Sequence, residues 1–169
     1  MSAAAELLRD LARAGLTVAT AESLTGGLLA ATLIDVPGAS AVVRGGIIAY
    51  DTGLKESLLG VEGALLARSG PVHPEVARQM ARGVRRACAL GVGEPAIGIA
   101  TTGVAGPDPD PATGQGAGTV YLGISSARGE RCVALKLAGD RGRIRADTVA
   151  AALAEIASEA AELATFPRS

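Results

Sequence analysis

The chain of 169 residues has very few aromatic side chains: Phe, Trp and Tyr together make up 2% of it, and Trp is absent. Its core is therefore expected to be aliphatic, and few rings are available to stack on nucleic acid bases. Lys and Arg number 16 against 17 Asp and Glu, which gives a net charge of −1. Because no basic run could follow a phosphate backbone, we expect no nucleic acid partner.

Cysteine and histidine are equally scarce. Cys88 and Cys132 are the two cysteines and His73 is the one histidine, which is too few for a thiolate metal cluster. We expect no metal site and two buried, reduced thiols. No apolar run reaches the roughly 18 residues that span a bilayer, and the N-terminus has an amphipathic helix pattern in place of a secretion signal. We therefore expect a soluble, cytoplasmic protein without a membrane partner.

Helical and strand patterns alternate over the first hundred residues, and a hairpin pattern follows them. The predicted helices cover 3–14, 28–34 as a buried helix, a short segment around Lys55, 74 to near 91, and 143 onward. The predicted strands cover 16–21, 42–50, 96–102, 119–125 and 131–137. This order predicts an α/β fold over residues 1–169, a layered single domain with a mixed, mostly parallel central sheet flanked by helices.

A segment rich in Pro, Gly and Asp, residues 103–118, separates two of the predicted strands. Unstructured loops of this length inside a domain are commonly functional. We expect it to form a lid or a wall of a substrate site.

Ser23 lies in a turn with Gly26 and Gly27, between a predicted strand and a predicted helix. Backbone N–H groups at a helix start favour negative charge, so a nucleophilic oxygen there would have an oxyanion site within reach. Taken alone, the motif fits a helix cap by Ser23 or Thr25 better than a catalytic site.

A serine nucleophile needs a base, and the residues leave the choice open. His73 directly precedes a predicted helix, and nothing near it marks an orienting carboxylate. Lys55 and Lys136 are the only lysines, and either would need a pKa lowered by burial or by neighbouring cations. The hydrophobic periodicity of the sequence does not show which of these residues would be the base.

Two more segments could contact a ligand. Thr102 and Gly103 end a predicted strand, where ligands collect in α/β sheets, although an ordinary turn explains them equally well. Arg141, Arg143 and Arg145 lie at the start of the last predicted helix. Guanidinium groups there suit a phosphate, but they also suit a solvated helix face.

Taken in order, these segments resemble the CinA C-terminal domain family, from Glu6 to Ala164. The resemblance is carried by residues 21–27, 36–40, 46–50 with Lys55, 58–61, 102–107, 118–121, and 139–141 with Arg145. Characterised members of this family are nicotinamide-nucleotide amidases, also called NMN deamidases. The resemblance therefore implies a Ser/Lys hydrolase of pyridine nucleotide salvage, which converts the carboxamide of nicotinamide mononucleotide to a carboxylate and releases ammonia.

The resemblance also implies roles for individual residues. Ser23 would be the nucleophile, Lys55 the general base, and Tyr50 a nearby hydroxyl that orients or relays the proton. The implied substrate-binding residues are Thr25, Gly26, Gly27, Thr102, Gly103, Arg141 and Arg145. Arg145, and secondarily Arg141, would meet the phosphate. No cofactor is implied, because acyl transfer to serine and then to water needs none. We further expect a small-molecule nucleotide substrate and a homo-oligomer.

The chain departs from the family pattern in three places. Gln115-Gly116-Ala117-Gly118 replaces Lys-Pro-Val-Gly, Gly70-Pro71-Val72-His73 replaces Gly-Ala-Val-Ser, and Asp51-Thr52-Gly53 follows Tyr50 in place of Ser-Asn. The altered loop from Asp108 to Gly118 leaves open an amidase or esterase for another small amide. The association of the family with competence and DNA damage leaves open a non-catalytic binding module. Many relatives carry a larger N-terminal domain of the molybdopterin-binding type, and we expect a stand-alone form here.

Overall fold

The structure is a computed structural model, and it describes residues 2–166. Within these residues the α-helices are α1 (Ala3–Ala14), α2 (Leu28–Ile34), α3 (Thr52–Ser57), α4 (Gly63–Ser69), α5 (Pro74–Ala87) and α6 (Arg141–Thr165), and a short 3-10 helix covers Ala39–Ala41. The strands are β1 (Val18–Glu22), β2 (Val43–Ile48), β3 (Ile97–Gly103), β4 (Thr119–Ser126) and β5 (Gly129–Lys136). Local signals set some of these bounds: Ser2 caps the start of α1, and Gly15 ends it in the left-handed conformation with φ 65°.

The five strands form one sheet in the order β2-β1-β3-β4-β5. β1 is parallel to both β2 and β3, whereas β4 is antiparallel to β3 and β5 is antiparallel to β4. Four strands therefore run in one direction and only β4 opposes them, which confirms the mixed, mostly parallel sheet. The carboxyl ends of β1, β2 and β3 lie together at one edge, because Glu22 is paired with Ile48 and with Thr101.

Helices cover both faces of the sheet. On one face, α1, α2 and α6 pack against strand residues such as Val18, Ile99 and Leu122. On the other face, α4 and α5 pack against the small side chains Ala19 and Ala100. Successive residues of β1 thus face opposite layers, as the period of two in a strand requires. The core is aliphatic, as the composition predicts.

Glycines allow α5 to lie unusually close to the sheet. A Cβ added at Gly123 of β4 would overlap the backbone carbonyl of Ala77, and one at Gly98 of β3 would overlap that of Ala81. Any larger residue would force the helix away from the strands. The close approach holds the segment that leads into α5 beside the carboxyl edge of the sheet.

Several sequence-based expectations need correction. α2 is not a buried helix: Leu29 and Leu33 face the core, but Leu28 is 37% exposed and Ile34 is 60% exposed. Cys88 and Cys132 are free but only half-buried.

One further helix and two helix boundaries also differ from the prediction. α4 was not predicted, because a seven-residue helix that buries only Leu65 and Leu66 has no clear period. α5 ends at Ala87, before Gly91. α6 begins at Arg141 because the Asp140 side chain caps it, accepting from the amide of Arg143 at 2.8 Å. No helix within residues 2–166 is both long and apolar enough to cross a membrane.

Gly123→Ala is expected to lower the free energy of unfolding by about 1 to 3 kcal/mol, the usual cost of overpacking. Gly91→Ala is the matched control, because a Cβ at Gly91 meets nothing within 4 Å. Urea denaturation of both variants measures the difference. Equal stability of the two variants would contradict the close packing of α5 on β4.

Candidate active site

A cleft of about 340 Å³ opens at the carboxyl edge of the sheet. That volume lies in the range of small-molecule sites. Its lining includes these sequence-predicted residues: Ser23, Tyr50, Lys55, Thr102, Gly103 and Arg141. Residues 104–106 and 108–111 of the long loop form one wall. The fold therefore brings together six of the ten predicted site residues and places the loop beside them.

Ser23 directly follows β1 and is 8% exposed. Its amide donates to the carbonyl oxygen of Thr101 at 3.0 Å, so the neighbouring strand β3 holds its backbone. The hydroxyls of Thr25 and Thr101 lie 2.8 Å apart and tie the next part of the turn to the same strand. The parallel pairing of β1 with β3 thus continues into the turn and holds the backbone of Ser23.

Lys55 is 1% exposed, which is exceptional for a lysine. Its Nζ donates to Ser23 Oγ at 3.1 Å, to the carbonyl oxygen of Ala49 at 2.6 Å and to that of Tyr50 at 3.4 Å. The short helix α3 turns the chain back to make this contact, and Asp51 caps its start by accepting from the amide of Gly53 at 2.7 Å.

Burial lowers the pKa of Lys55 from 10.5 to about 8, while the nearby Asp51 carboxylate acts in the opposite direction. A neutral amine has two N–H groups and one lone pair. The carbonyls of Ala49 and Tyr50 can only accept, so they take the two N–H groups and leave the lone pair for the Ser23 hydroxyl. This is the arrangement that a general base needs.

The start of α2 offers no oxyanion site, contrary to the sequence-based expectation. The carboxylate of Glu22, which is 1% exposed, already fills it. Backbone N–H groups over residues 26–30 all have acceptors in the chain: those of Gly27, Leu29 and Ala30 donate to Glu22, that of Gly26 to Ser23, and that of Leu28 to Thr25. Any oxyanion in the cleft must therefore bind elsewhere.

Tyr50 and Arg141 lie together at the mouth of the cleft. Arg141 donates to the Tyr50 hydroxyl at 3.1 Å and to the carbonyl oxygen of Gly106 at 2.9 Å. The Tyr50 side chain is 60% exposed, and among the described residues its hydroxyl bonds to Arg141 rather than to Ser23 or Lys55. What Tyr50 supplies to Lys55 is its backbone carbonyl.

The other four predicted site residues do not line the cleft. Arg145 donates to the carbonyl oxygens of Leu24 at 3.0 Å and Thr25 at 2.8 Å, so it braces the turn after Ser23 from behind. Thr25 is fully buried against Thr101. Gly26 and Gly27 have φ values of 59° and 94° and serve the turn, because other residues rarely adopt that conformation.

The two rival bases lie elsewhere. His73 is the N-cap of α5, where its Nδ1 accepts from the amide of Glu75 at 3.2 Å. Lys136 is on the edge strand β5 and donates to the Thr119 hydroxyl at 2.9 Å. Neither residue lines the cleft.

Sequence reasoning missed three contributors: the Glu22 carboxylate, the carbonyl of Ala49 and the Thr101 side chain. Only Glu22 offered a signal, since an acidic residue shortly before a helix can cap it. Within residues 2–166, no group of three or more His, Cys, Asp and Glu side chains is arranged to hold a metal ion.

Asp51→Asn is expected to lower the pKa of Lys55 below about 8, because the Asp51 carboxylate is the charge that raises it. Asn is an equally good N-cap, so α3 should keep its first turn. Isotope labelling of lysine Cε gives signals from Lys55 and Lys136 only, and Lys136→Arg assigns them. An NMR titration in which the Lys55 pKa stays or rises in the variant would contradict this effect of Asp51.

Comparison with known proteins places these features in a family. The model of the CinA C-terminal domain matches residues 1–160. A CinA-like protein of Frankia casuarinae is 49% identical over 137 residues, which are 81% of this chain and 30% of that protein. A CinA-like protein of Geobacter sulfurreducens is 43% identical over 152 residues, 90% of this chain and 35% of that protein. The chain thus spans about a third of the length of these curated relatives.

Solved structures agree. The crystal structure of a CinA superfamily protein from Klebsiella pneumoniae 700603 superposes with a TM-score of 0.88 at 28% identity, covering 95% of this chain and 96% of that one. The competence/damage inducible protein CihA of Agrobacterium tumefaciens gives a TM-score of 0.83 at 32% identity, covering 94% and 96% of the two chains. The chain therefore belongs to the CinA C-terminal domain family.

Proposed function

We propose that this protein hydrolyses the carboxamide of nicotinamide mononucleotide to nicotinate mononucleotide and ammonia, as a step of pyridine nucleotide salvage. The observation that carries the proposal is the 3.1 Å hydrogen bond between Lys55 Nζ and Ser23 Oγ. It joins a nucleophile to a buried amine whose pKa is lowered to about 8, inside a cleft of small-molecule size. Membership of the CinA family agrees with this chemistry.

In the acylation step, Ser23 Oγ attacks the carboxamide carbon while Lys55 Nζ takes the hydroxyl proton. The resulting tetrahedral species breaks its C–N bond, and Lys55 passes the proton to the departing nitrogen, which leaves as ammonia. Ser23 is then held as an ester of the nicotinate. The carbonyls of Ala49 and Tyr50 bind two N–H groups of Lys55. The third position of its nitrogen, which takes up and releases the proton, therefore faces Ser23 and the substrate.

Deacylation reverses the roles. Lys55 takes a proton from a water molecule, the water oxygen attacks the ester carbon, and the proton returns to Ser23 Oγ as the ester bond breaks. The product is a carboxylic acid, which loses its remaining proton to solvent and leaves as a carboxylate. Water has thereby replaced ammonia.

The amide oxygen needs hydrogen-bond donors as it gains charge. Leu24, Ala105 and Gly106 line the cleft, and within residues 2–166 their backbone N–H groups donate to no protein acceptor. We assign the oxyanion contact to this group, in place of the α2 start that Glu22 fills.

Arg141 is the arginine that lines the cleft, and we assign the substrate phosphate to it. Its guanidinium is held at the mouth by the carbonyl of Gly106 and the hydroxyl of Tyr50. Such a held fork can bind phosphate oxygens in a bidentate manner. Arg145 is not assigned to the phosphate, since it donates to the carbonyls of Leu24 and Thr25.

An amidase for another small amide is the second candidate. The observation that favours it is the pair of carboxylates, Asp108 and Asp110, on the loop wall of the cleft, which would oppose an anionic group such as a phosphate and favour an uncharged amide. Ammonia release from a panel of amides with and without a phosphate separates the two candidates.

Ser23→Ala and Lys55→Met are each expected to reduce ammonia release from nicotinamide mononucleotide by at least about 1,000-fold, because the two residues act as a unit. His73→Ser is the control and should retain activity. In the wild-type protein, kcat/KM should rise with pH through a limb near 8, where Lys55 becomes neutral. Activity that survives in Ser23→Ala would disprove the covalent mechanism.

Arg141→Ala is expected to raise KM for nicotinamide mononucleotide by about 10- to 150-fold, since a charge-assisted hydrogen bond contributes about 1.5 to 3 kcal/mol. Activity on nicotinamide riboside, which lacks the phosphate, should change little. Arg143→Ala is the matched control, because Arg143 lies on the same turn of α6 but donates to Asp147. Equal effects of Arg141→Ala on both substrates would refute the phosphate contact.

A further inference from the structure

Glu22 is a buried carboxylate that the proposed mechanism does not use. It is the last residue of β1 and immediately precedes Ser23. At 1% exposure it is as buried as Lys55. Burying an ionised carboxylate is unfavourable unless its oxygens accept hydrogen bonds. The hydrogen bonds of Glu22 must therefore stabilise it beside the nucleophile.

Those contacts converge on the start of α2. Oε2 accepts from the amides of Gly27 and Leu29, both at 3.0 Å, and Oε1 accepts from the amide of Ala30 at 2.8 Å and from the Thr20 hydroxyl at 3.4 Å. A negative charge is also favourable at a helix N-terminus. The side chain of Glu22 thus clamps the helix that follows the turn carrying Ser23.

The backbone of Glu22 forms a second link, on the opposite side. Its carbonyl accepts from the amide of Ala49 at 2.8 Å, and the carbonyl of Ala49 accepts from Lys55 Nζ at 2.6 Å. One residue therefore connects the turn of the nucleophile, the start of α2 and the carbonyl that holds the base.

We propose that Glu22 is a positioning residue, whose carboxylate sets the Ser23–Gly26 turn and so the placement of Ser23 Oγ against Lys55. The inference rests on the proposed function of Ser23 and Lys55. Arg145 and Thr101 hold the first part of this turn through Leu24 and Thr25. Its second part, Gly26 and Gly27, lies in the left-handed region, where glycine by itself adds little constraint. The Glu22 carboxylate supplies that constraint, because it binds three amides of the helix start, those of Gly27, Leu29 and Ala30.

The test is Glu22→Gln, which keeps the shape of the side chain. A glutamine has one acceptor oxygen, and its NH₂ group would face a backbone N–H that the carboxylate now accepts from. We expect kcat to fall by about 10- to 100-fold, the scale of a small misplacement of reacting groups. KM should change little, and the pH limb near 8 should stay, because the contacts of Lys55 with Ala49 and Tyr50 are unaltered.

Glu159→Gln is the matched control. Glu159 is 2% exposed and accepts from Ser126, Arg128 and Arg131, so the same substitution removes a comparable set of buried bonds. It lies 18 residues beyond Arg141 on α6, which is about 27 Å along the helix. Glu159→Gln should therefore lower the melting temperature and leave kcat unchanged.

A second readout does not depend on the substrate. The rate at which a fluorophosphonate labels Ser23, followed by intact-protein mass, should fall in Glu22→Gln and stay the same in Glu159→Gln. If the wild type labels at Ser23 but releases no ammonia from nicotinamide mononucleotide, the substrate proposal fails while the role of Glu22 is still tested. Unchanged kcat and labelling in folded Glu22→Gln overturn the inference. A wild-type protein that is neither labelled nor active on nicotinamide mononucleotide also overturns it. So does a Glu22→Gln variant whose pH limb moves from near 8 toward the ordinary pKa of lysine.

Discussion

The burial of Lys55 is the constraint on which the site depends. A lysine amine is strongly hydrated, so a side chain at 1% exposure has to find polar atoms in the protein to replace water. It finds two backbone carbonyls and the Ser23 hydroxyl. Two neighbouring strands must end at the same level for this to occur, and the parallel pairing of β1 with β2 provides that. The short helix α3 then has to return the lysine to the sheet edge.

Two adjacent residues at the end of β1 have different surroundings. Its end carries Glu22, which points to α2, and Ser23, which lines the cleft beside β3. The helix start, a common anion site in α/β folds, is satisfied internally by a carboxylate. The polar side chains that line the cleft come from Ser23, Tyr50 and Lys55, from the end of β3 and the loop after it, and from Arg141, the first residue of α6. The long loop is thus part of the site and not only a connection.

Charge in the cleft is balanced between opposing groups. Burial favours the neutral form of Lys55 and lowers its pKa to about 8, while Asp51 at the start of α3 favours the charged form and opposes that shift. Arg141 places a cation at the mouth, whereas Asp108 and Asp110 line the loop wall. Of these charges, Asp51 is one of the positions at which the chain departs from the family pattern.

The sequence by itself determined the features that depend on residues close together in the chain. Periodicity and caps placed α1 within its bounds, alternation placed the β4–β5 hairpin, and motif order identified Ser23 and Lys55 as site residues. Only the tertiary structure decided which arginine faces the cleft, since Arg145 and its carbonyl partner in Thr25 are separated by 120 positions. It also decided that Glu22 fills the α2 start and that Lys55, not His73, meets Ser23. Such contacts join elements through the pairing of strands and the packing of layers, which no local pattern encodes.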